Sequence, residues 1–243
     1  MHTLLLRLAG PMQSWGTQSR FTIRDTGLEP SKSGVIGLLC AALGKPRDEN
    51  HPDNHDQPKL EALAALRMGV RINREGVPQK DYHTAGGSRR ADYGVIKASG
   101  AKGEPVVSTR YYLADADFLV GLESDDVNLL LRLDEALGEP RWQLFLGRKS
   151  FVPSLPVRMK DGVKLNTALE DALRTEYLWP ANRHGEPEPH LRCVIEPRGD
   201  DSKAAEVRHD VPLSFATRQF TIRHVKTDWI TCPEGASDDN RGT

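Results

Sequence analysis

The stretch Pro30–Gly44, PSKSGVIGLLCAALG, constrains this chain more than any other. It reads as a helix with both ends marked. Ser31 or Ser33 supplies an N-cap oxygen for an orphan backbone N–H. Gly44 follows the last apolar residue, where a left-handed residue closes a helix, and Pro46 blocks extension. Val35, Ile36, Leu38, Leu39 and Leu43 make a wide apolar face. Gly34, Gly37 and Ala41 fall at spacings of three and four and share a second face with almost no side chain. A helical glycine costs about 1 kcal/mol against alanine, so a pair of them predicts close approach of something else. Two readings are open. One is tight packing on a sheet. The other is a phosphate chain passing the helix N-terminus, where free N–H groups, the dipole and Lys32 favour an anion.

Around this helix the chain alternates strand and helix signals. Thr3–Ala9 predicts a buried strand with Arg7 as its one charge. The loop after Gly10-Pro11 mixes Gln13, Trp15, Arg20, Phe21 and Arg24, an interleaving that suits stacking and pairing with a nucleic-acid strand; Trp15 serves equally well as a plug at the core edge. Pro46–Pro58 is a polar surface loop whose histidines and acids lack metal-ligand spacing. Leu60–Leu66 predicts a short helix and Met68–Asn73 a strand with Val70 and Ile72 on one face. Tyr111–Leu122 predicts another strand. Ser124–Gly138 is the clearest amphipathic helix, with Ser124 as cap and Asp125 and Asp126 in its first turn.

Between those strands Val77–Arg110 has no helical period and is rich in glycine. Lys80, Arg89, Arg90, Lys97, Lys102 and Arg110 face only Asp81, Asp92 and Glu104, a net charge of +3. A segment of this length predicts an inserted arm, a hairpin reaching out between two strands. Arg141–Lys160 holds Arg141, Arg148, Lys149, Arg158 and Lys160 and no acid. Its Gly147-Arg148-Lys149-Ser150 turn has the composition to hold a phosphate by N–H groups and guanidinium together.

Beyond residue 160 the signals are a small helix at Thr167–Leu173, a Pro/Gly/Glu-rich loop at Pro180–Pro189, and strands at Leu191–Ile195 and Val207–Val225. These predict a second, smaller β-rich part over residues 161–232, followed by a disordered tail at 233–243. The first part, residues 1–160, runs strand, helix, strand, insertion, strand, helix, strand. That order suits an α+β, ferredoxin-like (RRM-like) βαββαβ sheet with a thumb inserted at about 77–110.

Composition limits the function. The 243 residues carry 33 basic and 34 acidic side chains, a net charge of −1, which argues against a free-standing nucleic-acid binder and allows local basic patches. Cys40, Cys193 and Cys232 are far apart, with no CxxC or Cys/His spacing, so neither a disulfide framework nor a zinc site is expected, and a reducing cytoplasm fits. The apolar run before Arg7 is too short for a signal peptide or a membrane span. No cofactor, metal or membrane contact is expected.

Five collinear segments carry a resemblance: LRLAGPMQSWG, PSKSGVIGLLCAALG, the DYHT at Asp81–Thr84, RYYLADADFLV and LGRKSF. Together they resemble the CasD family, a subunit of the type I-E CRISPR Cascade complex. The resemblance extends to the RQF at Arg218–Phe220. It implies an RNA-binding protein of the RAMP superfamily with a modified RRM-like fold and a thumb. It implies a subunit that holds the 5′ handle of the CRISPR RNA and contacts the CasC backbone and the large CasA subunit, meeting target DNA only through the complex, with precursor cutting left to a different subunit, CasE. The expected RNA-binding residues are Gln13, Trp15, Arg20, Arg24, Lys32, Ser33, Gly34, Tyr82, His83, Arg89, Arg90, Arg110, Arg141, Arg148 and Lys149, and no catalytic residue is expected. The alternative is a metal-independent endoribonuclease, in which Tyr82, His83 and Lys80 supply a base and a cation for repeat-RNA cleavage.

Overall fold

The computed structural model describes residues 1–17, 22–86, 100, 105–176, 190–199 and 206–231. Arg20, Arg89 and Arg90, the segments expected as the Pro180–Pro189 loop and the tail at 233–243, and the residues around Asp200 lie outside the described residues.

The chain is built around β1 (His2–Ala9), where Leu4, Leu5, Leu6 and Leu8 are all fully buried. Neighbouring leucines point to opposite faces of a strand, so both faces must be covered. On one face Leu4, Leu6 and Leu8 join the main core under α1 (Lys32–Leu43) and α3 (Val127–Gly138). On the other, Leu5 packs with Leu119, Met159, Leu169 and Leu173 under α4 (Leu169–Thr175). A short α2 (Leu60–Ala64) adds Leu60 and Leu63 to the main core.

β1 pairs with β7 (Asp117–Ser124) on one side, His2 opposite Ser124 through Ala9 opposite Asp117, and with β8 (Arg158–Lys164) on the other. β7 pairs in turn with β4 (Arg67–Arg74). All these pairings are antiparallel, giving the order β4-β7-β1-β8. The chain visits them as β1, α1, β4, insertion, β7, α3, β8, the element sequence expected.

The C-terminal strands differ from expectation. Among the described residues they do not form the second, smaller sheet expected from the strand signals after residue 160. β9 (His190–Ile195) pairs antiparallel with β4, and β11 (Gln219–Thr231) pairs with β9, so the main sheet continues to seven strands. β11 serves two partners: Gln219–Val225 pairs with β10 (Glu206–Ser214) and Lys226–Thr231 with β9. The free edge of β4 takes the C-terminal part, because an unpaired edge leaves backbone groups unsatisfied.

The inserted arm is a ladder of β5 (Val77–Ala85) and β6 (Val106–Ala114), running from Val77 opposite Ala114 to Ala85 opposite Val106. β2 (Met12–Gln13) and β3 (Ile23–Arg24) join the other side of β6, making a second sheet. Tyr111–Leu122 is therefore two strands in two sheets. The break falls at Asp115, in the left-handed region at φ 55°. The α3 cap also moves: Asp126 is the N-cap and accepts from Leu129 N, while Ser124 Oγ accepts from Asp126 N.

α1 begins and ends where its sequence marks it. Ser31 caps it, accepting from Gly34 N at 3.3 Å, and Gly44 closes it at φ 68°. Its two glycines meet different surroundings. A Cβ on Gly34 would lie 2.8 Å from the Trp15 ring; a Cβ on Gly37 would meet only Phe215 Cζ, at 3.9 Å. The close approach at Gly34 is an indole packed on the helix, neither sheet backbone nor phosphate. Gly34→Leu should therefore overpack, costing about 1–3 kcal/mol against a propensity gain of up to about 1 kcal/mol. Its melting temperature should fall by several degrees, while Gly37→Leu should melt at or above the wild type. Thermal unfolding of the two variants reads the difference.

Candidate nucleic-acid interface

The N-terminus of α1 is already occupied by the protein's own carboxylate. Asp210, on β10, accepts from the Lys32 backbone N–H at 2.8 Å and is held by Arg223 through Nε at 2.7 Å and Nη2 at 2.9 Å. Glu196 bridges Lys32 Nζ at 2.9 Å and Arg223 Nη1 at 3.1 Å. Lys32 is 3% exposed and its ammonium is paired here, so it is not a phosphate ligand; burial lowers its pKa, with Glu196 opposing. A buried positive helix end needs a negative partner, and Asp210 supplies it from 178 residues away.

Gln13 and Trp15 are also corrected. Gln13 is fully buried; its amide donates to the carbonyls of Leu8 and Ala116 at 2.9 and 2.8 Å and accepts from Trp15 Nε1 at 3.1 Å. Trp15 is 2% exposed and belongs to the main core. The pair joins β1, the second sheet and α1, and neither side chain can stack on a base.

The charges that do assemble lie on the second sheet. Arg24 on β3 stands in register with Arg110 on β6, which in turn faces Asp81 on β5. Paired residues of neighbouring strands share a face, so these three side chains stand together. The Gly147–Ser150 turn brings Arg148 to the same place: its guanidinium donates to the carbonyls of Tyr111 at 2.8 Å and Arg24 at 3.3 Å, and lies 5.4 Å from the Phe151 ring centre. The turn is closed by Phe151 N to Arg148 O and Leu146 N to Phe151 O, at 2.9 and 2.7 Å, and Ser14 N donates to Leu146 O at 3.1 Å. Gly147 has φ 94°, and a Cβ there would run into Ser14 O. Burial, then the charge of Arg110, hold the Arg148 guanidinium below its ordinary value; Asp81 opposes this and Arg24 adds to it.

Tyr82 and His83 are neighbours on β5, so they point to opposite faces. His83 shares its face with Asp81, whose carboxylate lies 3.5 Å from Nδ1; Tyr82, 73% exposed, shares the other face with Lys80. Lys80, Tyr82 and His83 are thus not grouped around one phosphate. Arg141 lies across Gly44, and its backbone N–H, with that of Trp142, donates to the carbonyls of Ala42 and Ala41 at the end of α1.

Those two hydrogen bonds build a groove that sequence reasoning missed. It encloses about 530 Å³ between the small-residue face of α1 and the segment from Trp142 to Lys149. Ser33 and Gly34 stand at one end, and Phe215, from the β10–β11 turn, forms a wall. The signal in the sequence was the acid-free RWQLFLGRKS; Phe215 carried none, because its place depends on β10 folding back over α1.

The family described as CRISPR-associated protein (Cas_Cas5) matches residues 3–226. The chain belongs to this family of CRISPR-associated proteins. Among its relatives, the CRISPR system Cascade subunit CasD of Escherichia coli (strain K12) is 36% identical over 158 residues, a match spanning 60% of this chain and 65% of that protein. A solved structure described as a Cas protein superposes with a TM-score of 0.70 at 39% identity, covering 96% of this chain and 98% of the other. A chain of a CRISPR RNA-guided surveillance complex superposes with a TM-score of 0.71 at 32% identity, covering 97% and 95%. Among the described residues no helix is long and apolar enough to cross a membrane.

The buried charges at α1 predict an acid response. Burial alone would raise the Asp210 carboxyl, but the hydrogen bonds and charge of Arg223, with the Lys32 N–H and ammonium, hold it below the ordinary range. A carboxyl lowered on folding stabilises the chain above its unfolded value of about 4 and loses that contribution as pH falls through the folded value. Asp210→Asn leaves Arg223 undercompensated and should cost about 3–5 kcal/mol at neutral pH. It should also flatten the loss of stability below about pH 4, read as urea midpoints against pH. An acid limb as steep as the wild type's would place the sensitivity elsewhere.

Proposed function

We propose that this chain is a non-catalytic RNA-binding subunit of a Cascade-type, RNA-guided CRISPR surveillance complex in antiviral defence, and that it holds the 5′ handle of the CRISPR RNA. The carrying observation is the convergence of Arg24, Arg110 and Arg148 at the root of the inserted arm. Three guanidiniums beside Asp81 and Asp25 leave an excess of positive charge, and a phosphate chain neutralises it while accepting the planar guanidinium forks. The likeness to CasD and to a chain of a surveillance complex supports the setting.

In this reading the strands β4-β7-β1-β8 with α1 and α3 are a ferredoxin-like platform, and β5–β6 is the stem of the thumb. The thumb contacts the CasC backbone, and the CasA subunit adjoins; DNA is met only through the assembled particle, in the cytoplasm. The side chains on β5 do not assemble the Lys80–Tyr82–His83 set that cutting would use: Lys80 and Tyr82 stand on the face opposite His83, which lies beside Asp81 and the arginine cluster.

Arg24→Gln combined with Arg110→Gln should weaken binding of repeat-derived single-stranded RNA and reduce the slope of log affinity against log salt by roughly 0.7 for each phosphate no longer neutralised. An unchanged slope would remove the arginines from the interface. The wild-type chain should leave repeat RNA intact in EDTA; specific cleavage lost in His83→Ala would replace this reading with the endoribonuclease.

A further inference from the structure

We infer that the groove beside α1 is a subsite for one unpaired base of the bound RNA, with that base stacked between Trp142 and Phe215 over Gly37. The inference rests on the RNA-holding reading above and assigns a second site to the same strand. Three observations carry it.

The first is empty space that the sequence maintains at a cost. Gly34 is required by the Trp15 ring, but a Cβ on Gly37 would meet only Phe215 Cζ at 3.9 Å, an ordinary contact. Packing does not demand glycine there, and glycine weakens a helix. A missing side chain at Gly37, with Ala41 one turn on, leaves a flat floor, and the groove of about 530 Å³ lies within the range of small-ligand sites.

The second is the chemistry of the walls. Trp142 is 48% exposed, held in place by its N–H bond to the Ala41 carbonyl, and Phe215, whose ring meets Phe220 edge-on at 6.5 Å, lines the same groove from the β10–β11 turn. Every base has a π-face, so aromatic walls take an unpaired base without regard to its identity. The charged side chains lining the groove are Lys45, Arg47 and Lys149, with no carboxylate among the described lining residues. Lys45 is paired with Glu49 at 2.9 Å; Arg47 and Lys149 remain as rim cations suited to the flanking phosphates.

The third is continuity. Lys149 borders the groove and Arg148, its chain neighbour, stands in the arginine cluster. One turn therefore separates a phosphate-holding surface from an aromatic slot, as a strand laid along the first and dropping a base into the second requires.

The test uses the full chain and a synthetic single-stranded RNA carrying the repeat-derived 5′ segment, together with a set in which each position in turn is abasic. For the wild type, one abasic position should weaken binding about tenfold, as expected for loss of one stacked base. Gly37→Leu fills the slot; it should bind intact RNA about tenfold more weakly and lose its sensitivity at that position, while folding normally by thermal unfolding. Gly37→Ala should stay within about twofold of the wild type. A 2-aminopurine at the sensitive position should be quenched on binding, and less so in Phe215→Leu. Equal binding of Gly37→Leu and wild type, with no sensitive position, overturns the subsite. Normal RNA affinity with failed assembly of the complete particle by Gly37→Leu also overturns it, by giving the slot to a neighbouring protein's side chain. If the subsite fails while the Arg24/Arg110 variant loses its salt slope, the RNA-holding reading stands alone; if the wild type binds no RNA, both fall.

Discussion

The structure depends on how the N-terminus of α1 is neutralised. A helix buried on a sheet presents unpaired N–H groups and a positive dipole end to a region with little water. Asp210 and Ser31 satisfy those groups, and Arg223, Lys32 and Glu196 complete a buried set of two cations and two carboxylates. Its members come from α1, the segment after β9, β10 and β11. Removing any one leaves an uncompensated charge, so the set fixes the C-terminal ribbon on the helix. That is why the strands after residue 190 extend the main sheet rather than forming a separate one, and why Phe215 reaches the groove.

What could be read from the sequence was local. The boundaries of α1, the buried run of β1 and the amphipathic face of α3 follow from caps, apolar periods and glycine within a few residues. What could not be read depends on distant partners. Lys32 looks like an anion ligand in sequence because its partners, Glu196 and Asp210, lie 164 and 178 residues away. Gln13 and Trp15 look like a stacking pair because residue type does not report burial; their hydrogen bonds to each other and to the carbonyls of Leu8 and Ala116 let them sit in the core. The pairing of β4 with β9 has no local signature at all.

The candidate site divides along the same line. The GRKS turn was legible, since four consecutive residues carry both its geometry and its charge. Its union with Arg24 and Arg110 was not, because it requires the parallel pairing of β3 with β6 and the docking of the turn on Tyr111 and Arg24 carbonyls. Arg20, Arg89 and Arg90 lie outside the described residues.

The near-zero net charge is compatible with this surface once the charges are sorted by where they act. Lys32, Lys45, Arg67, Arg192 and Arg223 are each paired with carboxylates, Arg192 tightly enough with Glu75 and Glu29 to hold its guanidinium above its ordinary value. Apart from Lys45–Glu49, four residues apart, these pairs join elements far apart in the chain, and in each the opposite charges largely cancel one another. Lys149 and Arg47 at the groove and Arg24 at the second sheet act on solvent instead, together with the partly screened Arg148. Composition counts both groups alike. A balanced chain can therefore carry a basic edge, provided enough of its acids are neutralised by cations that do not reach that edge, and the ion pairs at α1 and β9 are where this chain neutralises them.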